Sequence, residues 1–248
     1  MYNANDKSGN DTFDKQTEKF CRPRVIIQEY TTKKPITMIG KEAGVCWNSD
    51  VSDDKKNFKR GVACLESGHG RTFEFPDVYM ILDGYSAKVI REWYTHVGGL
   101  PTRLQESTRY VDYVKAFDYV CPKSIRKNTD TNDIYVKVME YINQAVAKLE
   151  NSGVPREDAS LLLPLGMRTK IVCKHNLRNL IDMSHQRLCT RAYHEYRNLF
   201  KDLCNALSEY SPEWDMIVKT YFVPKCNYLG YCPEKDPCNR NDFSNQQG

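Results

Sequence analysis

Hydrophobic and polar residues follow two different spacings along the chain, and Gly, Pro and Asn separate the segments. Branched and aromatic residues predict strands in three stretches: "RVIIQEY" from Arg24, "TFEFPDVYMILDG" and "MRTKIVCKH". Asp83 and Gly84 are turn formers, so we expect them to end the second strand. Apolar residues three or four positions apart predict helices in "KPITMIGKEAGVCW", "NFKRGVACLESGHG", "AKVIREWYTH" and between about Asp133 and Glu150.

The C-terminal half adds more helical signals. Pro155 is expected to open a short helical segment that Pro164 closes. Asn176 is a good N-cap, and helical spacing continues after it as far as Tyr210. Because the elements do not alternate in a regular βαβ order, the sequence predicts an α+β fold. Its mixed or antiparallel sheet would be flanked by helices that include one long C-terminal helix.

The chain of 248 residues is expected to fold as one domain, since nothing in its composition forces a division. Residues 1–23 resemble a loose polar leader without the apolar centre of a secretory signal, residues 24–222 form the expected domain, and residues 223–248 form a cysteine-containing tail. No apolar run has the length that a bilayer span requires. We therefore expect a cytoplasmic protein that does not span a membrane.

Net charge and cysteine content indicate which kinds of ligand, disulfide and metal site to expect. The net charge of +4 and the pI of 8.4 are too mild to indicate nucleic-acid binding, but they suit a small anionic ligand. The ten cysteines are scattered through helical and strand patterns, which favours reduced thiols over a disulfide framework. Cys226, Cys232 and Cys238 are separated by five residues each, a wider spacing than zinc sites usually use. We interpret them as a thiol-rich tail without a metal, and a metal site is the alternative.

Four polar side chains recur at every second position of "GGLPTRLQESTRYVDY", which runs from Gly98 to Tyr113. They are Arg103, Gln105, Ser107 and Arg109. In an extended segment these side chains share one face, and guanidinium, amide and hydroxyl donors together suit a phosphomonoester. The alternative is a polar edge strand whose charges are merely solvated.

Arg187 lies at the border of an apolar stripe on the predicted C-terminal helix. A guanidinium in that position needs an anionic or carbonyl partner, which a ligand can supply. An ion pair with an acidic residue of the chain is the alternative.

Two histidines are also candidates. His69 stands between Gly68 and Gly70, where its ring can face a ligand. His96 closes a helix, where the helix dipole favours a cation, and a simple C-terminal helix cap is the alternative for it. The chain contains no GxGxxG, P-loop, HExxH or serine-hydrolase motif. The signatures of most common cofactor-binding and hydrolase classes are therefore missing.

Four segments, taken in order, resemble the flavin-dependent thymidylate synthases: "ESGHGRTFEF", "REWYTHVGGLPTRLQESTRY", "NSGVPREDASLLLP" and "HNLRNLIDMSHQRLCTRAYHEYR". The resemblance covers the chain from about Arg24 to Tyr221, and the Ser-x-Arg-Tyr that begins at Ser107 is its most specific part. It implies a homotetramer whose active sites lie between subunits and bind FAD and dUMP, with methylene-tetrahydrofolate and NADPH as co-substrates. Reductive methylation of dUMP to dTMP is the implied reaction, and residues 24–222 would be the catalytic domain.

The resemblance also implies roles for particular residues. Ser107 and Arg109 would contact the dUMP phosphate, and Arg187 would act as the catalytic residue by stabilising negative charge on the uracil ring. The full predicted dUMP-binding set is Glu92, Arg103, Gln105, Ser107, Arg109 and Arg187. The predicted FAD-binding set is His69, Arg71, Glu74, His96, Asn176, Arg178 and Asp182.

Several positions depart from the family pattern. Thr95 and Val97 flank His96 where the family has Arg-His-Arg, and Ser160 aligns with an arginine that helps to hold the nucleotide. Gln105 stands where the family has glutamate. Arg103 lies outside the common pattern, and the alternation suggests that it replaces one of the lost charges.

Two other functions remain as alternatives. Cys189, between Arg187 and Arg191, would be the nucleophile of a cysteine-dependent nucleotide methyltransferase. Arg103, Arg109 and the sixteen tyrosines would serve an RNA-binding module by stacking on bases, although the tyrosines are dispersed.

Overall fold

The computed structural model describes residues 22–113 and 116–238. Within these residues one four-stranded antiparallel sheet has the order β1-β2-β4-β3. The strands are β1 (Arg24–Ile27), β2 (Asp77–Ser86), β3 (Thr102–Gln105) and β4 (Arg168–Asn176). The predicted α+β class and antiparallel sheet are confirmed.

Ten α-helices accompany the sheet in the described residues. They are α1 (Pro35–Cys46), α2 (Asp54–Glu66), α3 (Ala87–Trp93), α4 (Lys123–Arg126), α5 (Thr129–Asn151), α6 (Arg156–Ala159), α7 (Leu177–Arg187), α8 (His194–Tyr210), α9 (Pro212–Tyr221) and α10 (Lys225–Leu229). Two 3-10 helices, Gly70–Glu74 and Ser160–Leu162, lie between them. Helix α2 begins three residues before its apolar pattern does, because the Asp53 carboxylate accepts from two backbone N–H groups of the first turn.

The main core lies on one face of the sheet. Val78, Met80 and Leu82 of β2 are fully buried, and their direct partners on β4 are His175, Cys173 and Ile171. Helices α3, α7 and α8 cover this face with Trp93, Leu180 and Phe200, each fully buried. Residues directly opposite on antiparallel strands share a face, so β4 presents the side chain of His175 to the same helical layer.

Strand β2 is shifted along the chain from the predicted stretch, residues 72–84. It begins only at Asp77, because Gly70–Glu74 forms a 3-10 helix, and it continues two residues further, to Ser86. Asp83 and Gly84 do not turn the chain; the pairing of β2 with β4 shifts between Asp83 and Tyr85 and then continues to Ser86. Gly84 has a φ of +83°, so a β-bulge absorbs the extra residue where we expected a turn. After the bulge, Ser86 is the last residue of β2. Its hydroxyl accepts from the Val89 backbone N–H and caps α3, as predicted.

The predicted single helix from Asn176 to Tyr210 is wrong. Helix α7 ends at Arg187, and α8 begins at His194. The guanidinium of Arg197 donates to the carbonyls of Cys189, Thr190 and Ala192, so it satisfies the backbone of the connection. The connection contains neither Gly nor Pro, so this side-chain contact, and not a helix-breaking residue, accompanies the break.

The extended segment predicted from Arg103 to Arg109 is also wrong in its second half. Strand β3 ends at Gln105, and the backbone turns after Ser107, whose carbonyl accepts from the N–H groups of Tyr110 and Val111. Arg103 and Gln105 lie opposite Cys173 and Ile171 of β4, hence on the face that the helices cover. One continuous anion-binding face along the strand therefore does not form.

The tail packs back onto α7. Helix α10 contacts α7, the Tyr228 ring stacks on His185 at 4.8 Å, and Arg191 forms an ion pair with Glu234 at 3.5 Å. No three His, Cys, Asp or Glu side chains in residues 22–113 and 116–238 lie close enough to hold a metal ion. No helix in the same ranges combines the length and apolarity of a membrane span. The predicted leader falls almost entirely outside the described residues.

Candidate active site

Three elements surround the guanidinium of Arg187, the last residue of α7. Its Nε donates to His96 Nε2 at 2.9 Å, and its NH1 lies 3.7 Å from a Glu92 carboxylate oxygen. Its Cζ lies 4.4 Å from the centre of the Tyr196 ring, which is fully buried on α8. The Arg187 side chain keeps 20% exposure, so part of it remains accessible. We call Glu92, His96, Arg187 and Tyr196 the Arg187 cluster.

His96 is neutral in this cluster. Burial, the Arg187 charge and the Arg103 charge lower its pKa to about 4. Because Arg187 donates to Nε2, the ring proton must sit on Nδ1. The expectation that His96 carries a positive charge at the helix end is therefore wrong, since two guanidiniums already occupy that position.

Arg103 holds the chain between α3 and β3. Its NH1 donates to the carbonyls of Trp93, Tyr94 and His96, at 3.4, 3.0 and 3.3 Å. Its guanidinium also stacks over the Tyr94 ring at 4.6 Å. The guanidinium thus caps the C-terminal end of α3, where free carbonyls and the dipole favour a cation. A contact of Arg103 with the nucleotide stays a prediction.

A second group of predicted residues meets at the 3-10 helix Gly70–Glu74. The Glu74 carboxylate accepts from Arg178 at 2.6 Å and from Arg71 at 3.2 Å. The Arg178 hydrogen bond and both guanidinium charges hold the pKa of Glu74 below its usual range. His69 precedes this turn, and Gly70 lies against the Arg178 guanidinium. We call Arg71, Glu74 and Arg178 the Glu74 cluster.

Asn176 joins this region to the loop after α3. Its side chain caps α7 by accepting from the Asn179 backbone, and it packs so closely on Gly99 that a Cβ there would lie 2.4 Å from Asn176 Nδ2. Gly99 has a φ of +72°, which favours glycine. Asp182 is exposed on the same helix.

Ser107 and Arg109 lie together in the turn after β3. The Ser107 hydroxyl accepts from the Arg109 backbone N–H, and Arg109 Nε forms an ion pair with Glu157 of α6 at 3.1 Å. The Arg109 side chain is 63% exposed. Gln105 Nε2 donates instead to Thr169 on the neighbouring strand.

The structure thus gathers the predicted residues into separate groups. Glu92, His96 and Arg187 meet, as do Arg71, Glu74 and Arg178, while Ser107 and Arg109 form the third group. Within the described ranges no hydrogen bond or ion pair joins Ser107 or Arg109 to Arg187. Sequence reasoning missed Tyr196 and Glu157, because neither carries a local signal and both contacts depend on how helices pack.

A family model for the thymidylate synthase complementing protein matches residues 27–213. The chain belongs to the flavin-dependent thymidylate synthase family. The flavin-dependent thymidylate synthase of Nitratidesulfovibrio vulgaris is 31% identical over 232 residues, which cover 86% of this chain and 91% of the relative. The enzyme of the same name from Pyrococcus furiosus is 28% identical over 226 residues, covering 86% of this chain and 90% of the relative.

Two solved structures of the Helicobacter pylori flavin-dependent thymidylate synthase with FAD and dUMP share the fold. Their TM-scores are 0.62 and 0.64, at 20% and 19% sequence identity. The alignments cover 78% and 79% of this chain, and 98% and 99% of the other. The resemblance stated from the four segments is confirmed at the level of the family.

Cys189, the candidate nucleophile of the alternative function, lies in the connection between α7 and α8 and not within a helix as the sequence suggests. Its carbonyl is one of those held by Arg197.

Proposed function

We propose that the protein is a flavin-dependent thymidylate synthase that converts dUMP to dTMP. Methylene-tetrahydrofolate would donate the one-carbon unit, and NADPH would provide the reducing equivalents through FAD. The observation that carries the proposal is the Arg187 cluster, in which a cation contacts Glu92, His96 and Tyr196 and keeps 20% of its side chain exposed. Membership of the family supports the same reaction.

Arg187 would act as an electrostatic catalyst. A cation that is already oriented stabilises negative charge on a uracil ring without reorganising in the transition state. The ring carbon that accepts the methyl group becomes more nucleophilic as a result. No nucleophile from the protein is required for this role. At the other end of dUMP, Ser107 and Arg109 would bind the phosphate through a hydroxyl and a forked cation.

The Glu74 cluster fits the phosphates of FAD. The side chains of Arg71 and Arg178 are 80% and 50% exposed, so both guanidiniums have free donors beside the glycine-flanked turn at His69. Two exposed guanidiniums are a donor set that suits a pyrophosphate. FAD bound here would supply the hydride, while Asn176, His96 and Asp182 are the remaining predicted contacts.

A homotetramer with shared active sites would bring the separate groups together. Ile134, Val138 and Tyr141 form an exposed apolar stripe on α5, at 64%, 50% and 72% exposure. Leu104 on β3 and Val172 opposite it on β4 form an exposed apolar pair on the sheet face away from the core. Apolar surface of this kind is typical of subunit contacts. A second copy of the chain could thus place its Arg109 near Arg187 of the first.

An anaerobic assay for dTMP formation with FAD, NADPH and methylene-tetrahydrofolate tests the proposal. We expect product only when all three are present, and a purified protein that binds flavin. Failure to form dTMP under these conditions would reject the function. RNA affinity without dUMP binding would favour the RNA-binding module, and loss of turnover in Cys189→Ser with flavin still bound would favour the cysteine nucleophile. Sedimentation of the holoenzyme at the mass of one chain would reject the tetramer.

A further inference from the structure

The orientation of Arg187 depends on a histidine that the family resemblance assigns to the flavin. His96 accepts the Nε hydrogen of Arg187 at 2.9 Å, which fixes the plane of the guanidinium. Glu92 and Tyr196 restrain it further, through a charge 3.7 Å from NH1 and an aromatic face. The Nε hydrogen is used inside the protein and NH1 faces Glu92, so the terminal amino hydrogens that are not directed at Glu92 remain for a ligand.

The protonation state of His96 decides whether this contact exists. An imidazolium would place a second N–H against the Nε–H of Arg187, and a second positive charge beside it. The charged or titratable groups that face His96 are Arg187 from α7, Arg103 from β3, Tyr196 from α8 and His175 from β4. Burial keeps the imidazole neutral by lowering its pKa, and the charges of Arg187 and Arg103 act in the same direction.

Arg103 fixes the backbone that carries His96. Its NH1 donates to the His96 carbonyl and to two carbonyls at the end of α3. The imidazole is thereby anchored through β3 on one side and through Arg187 on the other.

We propose that His96 is a positioning residue for the thymidylate synthase reaction: its unprotonated Nε2 holds the Arg187 guanidinium in the plane in which the terminal amino groups meet the uracil ring. This inference rests on the proposed function and deepens it. His96 then acts on the reaction through Arg187, in addition to any contact with the flavin. An error of about 1 Å in the position of a catalytic group can cost on the order of 10²-fold in rate, so the loss of this contact should be visible in turnover.

Two amide variants of equal polarity but different reach make a matched test. In His96→Gln the amide oxygen lies near the position of Nε2 and accepts from Arg187, while in His96→Asn it is too short to do so. We expect His96→Gln to keep kcat within about 3-fold of the wild type and His96→Asn to lose about 10-fold or more, with the KM for dUMP changing less than kcat. Bound flavin should be the same in both variants.

The background of Arg187→Lys provides the control, because lysine has no Nε–H of this geometry. There His96→Asn and His96→Gln should have the same kcat, since the contact between residues 96 and 187 is already lost. Equal kcat for the two variants in the wild-type background would overturn the proposal. Loss of flavin in His96→Asn, or failure of both variants to fold, would overturn it as well, in favour of a flavin contact or a purely structural residue. If the wild type itself forms no dTMP, the proposed function fails, which is a separate outcome.

Discussion

Arg187 and Arg109 are proposed to hold opposite ends of one nucleotide, yet the chain places them in opposite surroundings. The Arg187 side chain is 20% exposed and has contacts from α3, the loop after it and α8. Arg109 is 63% exposed and forms one ion pair, with a carboxylate that is itself 59% exposed. Exposed pairs of this kind contribute about 0–1 kcal/mol. The site would thus be preorganised at Arg187, before any ligand binds. At Arg109 it would be adaptable, because that side chain can exchange its partner at little cost in free energy.

The largest effect is expected from Arg187→Ala. Removing a preorganised charge from a transition state typically costs about 10²–10³-fold in kcat, and we expect a loss in this range. Affinity for phosphate should fall much less. Steady-state kinetics and binding titrations with dUMP and inorganic phosphate measure the two effects. Arg191→Ala is the matched control, because Arg191 lies four residues further on and pairs with Glu234 of the tail. Equal losses of affinity for dUMP and inorganic phosphate would contradict the role of Arg187.

Arg109→Ala should act on binding instead. A charge-assisted hydrogen bond contributes roughly 1.5–3 kcal/mol, so dUMP affinity should fall by about 10- to 100-fold. Isothermal titration with dUMP and with deoxyuridine would measure this. The deficit should disappear for deoxyuridine, which lacks the phosphate. Arg126→Ala removes the same charge from α4 and should leave both affinities unchanged. A similar loss for both ligands would place Arg109 away from the phosphate.

The buried histidines at and beside the Arg187 cluster, His96 and His175, should also make the stability of the fold depend on pH. His175 is fully buried, accepts from Trp93 Nε1 and has a pKa lowered to about 4, first by burial. In the unfolded chain a histidine titrates near 6.5, so between about pH 6.5 and 4 the unfolded state binds more protons than the native state. The free energy of unfolding therefore falls as the pH falls through this window, and His96 adds to the loss. Urea unfolding at pH 7, 6, 5 and 4 should show the decrease. Stability that stays constant from pH 7 to 5 and drops only below 4 would assign acid unfolding to carboxylates instead.

Gly99 and Gly153 have similar backbone angles but different surroundings, so substituting each by Ala distinguishes the cost of backbone strain from the cost of a steric contact. In Gly99→Ala the new Cβ would meet Asn176 at 2.4 Å and take a φ of +72°, whereas Gly153 has a φ of +86° and open space around it. We expect Gly153→Ala to cost about 1 kcal/mol from the backbone alone. Gly99→Ala should cost about 1–3 kcal/mol more, because overpacking displaces the cap of α7. Chemical denaturation of both variants gives the difference. Equal costs would mean that Asn176 moves aside freely.

The smallest effect is expected from Glu157→Gln. It removes the partner of Arg109 while keeping the shape of the side chain. Because the pair is exposed, dUMP should bind only a few-fold more tightly, which corresponds to less than about 1 kcal/mol. Titration at low and high salt would check the sign, since the gain should shrink as salt screens the pair. Weaker dUMP binding would mean that Glu157 helps to hold Arg109 in place.

The sequence predicts the features that depend on residues close together in the chain, namely strands and helix caps. Strands β1, β2 and β4 follow from branched and aromatic runs, and Ser86 and Asn176 cap the helices that they were expected to cap. The same reasoning failed at the α7–α8 break, where Arg197 holds the connection from the next helix. No spacing along the chain encodes that contact.

The candidate site shows the same limit. Alternation correctly puts Arg103 and Gln105 on one face of β3, but only the pairing with β4 shows that this face meets the helices. Tyr196 becomes a neighbour of Arg187 because α7 ends at Arg187 and a new helix begins at His194, which periodicity does not predict. The assignment of Ser107, Arg109 and the flavin-side residues still depends on the family resemblance and the experiments above.

Helix α7 carries Arg178 near its start and Arg187 at its end. Nine steps of about 1.5 Å separate these residues by about 13 Å along the axis, so the helix acts as a ruler between the Glu74 cluster and the Arg187 cluster. One inserted residue would add about 1.5 Å and rotate the arginine by about 100°, away from both His96 and Tyr196. The length of this helix would therefore be as strictly constrained as any side chain it presents.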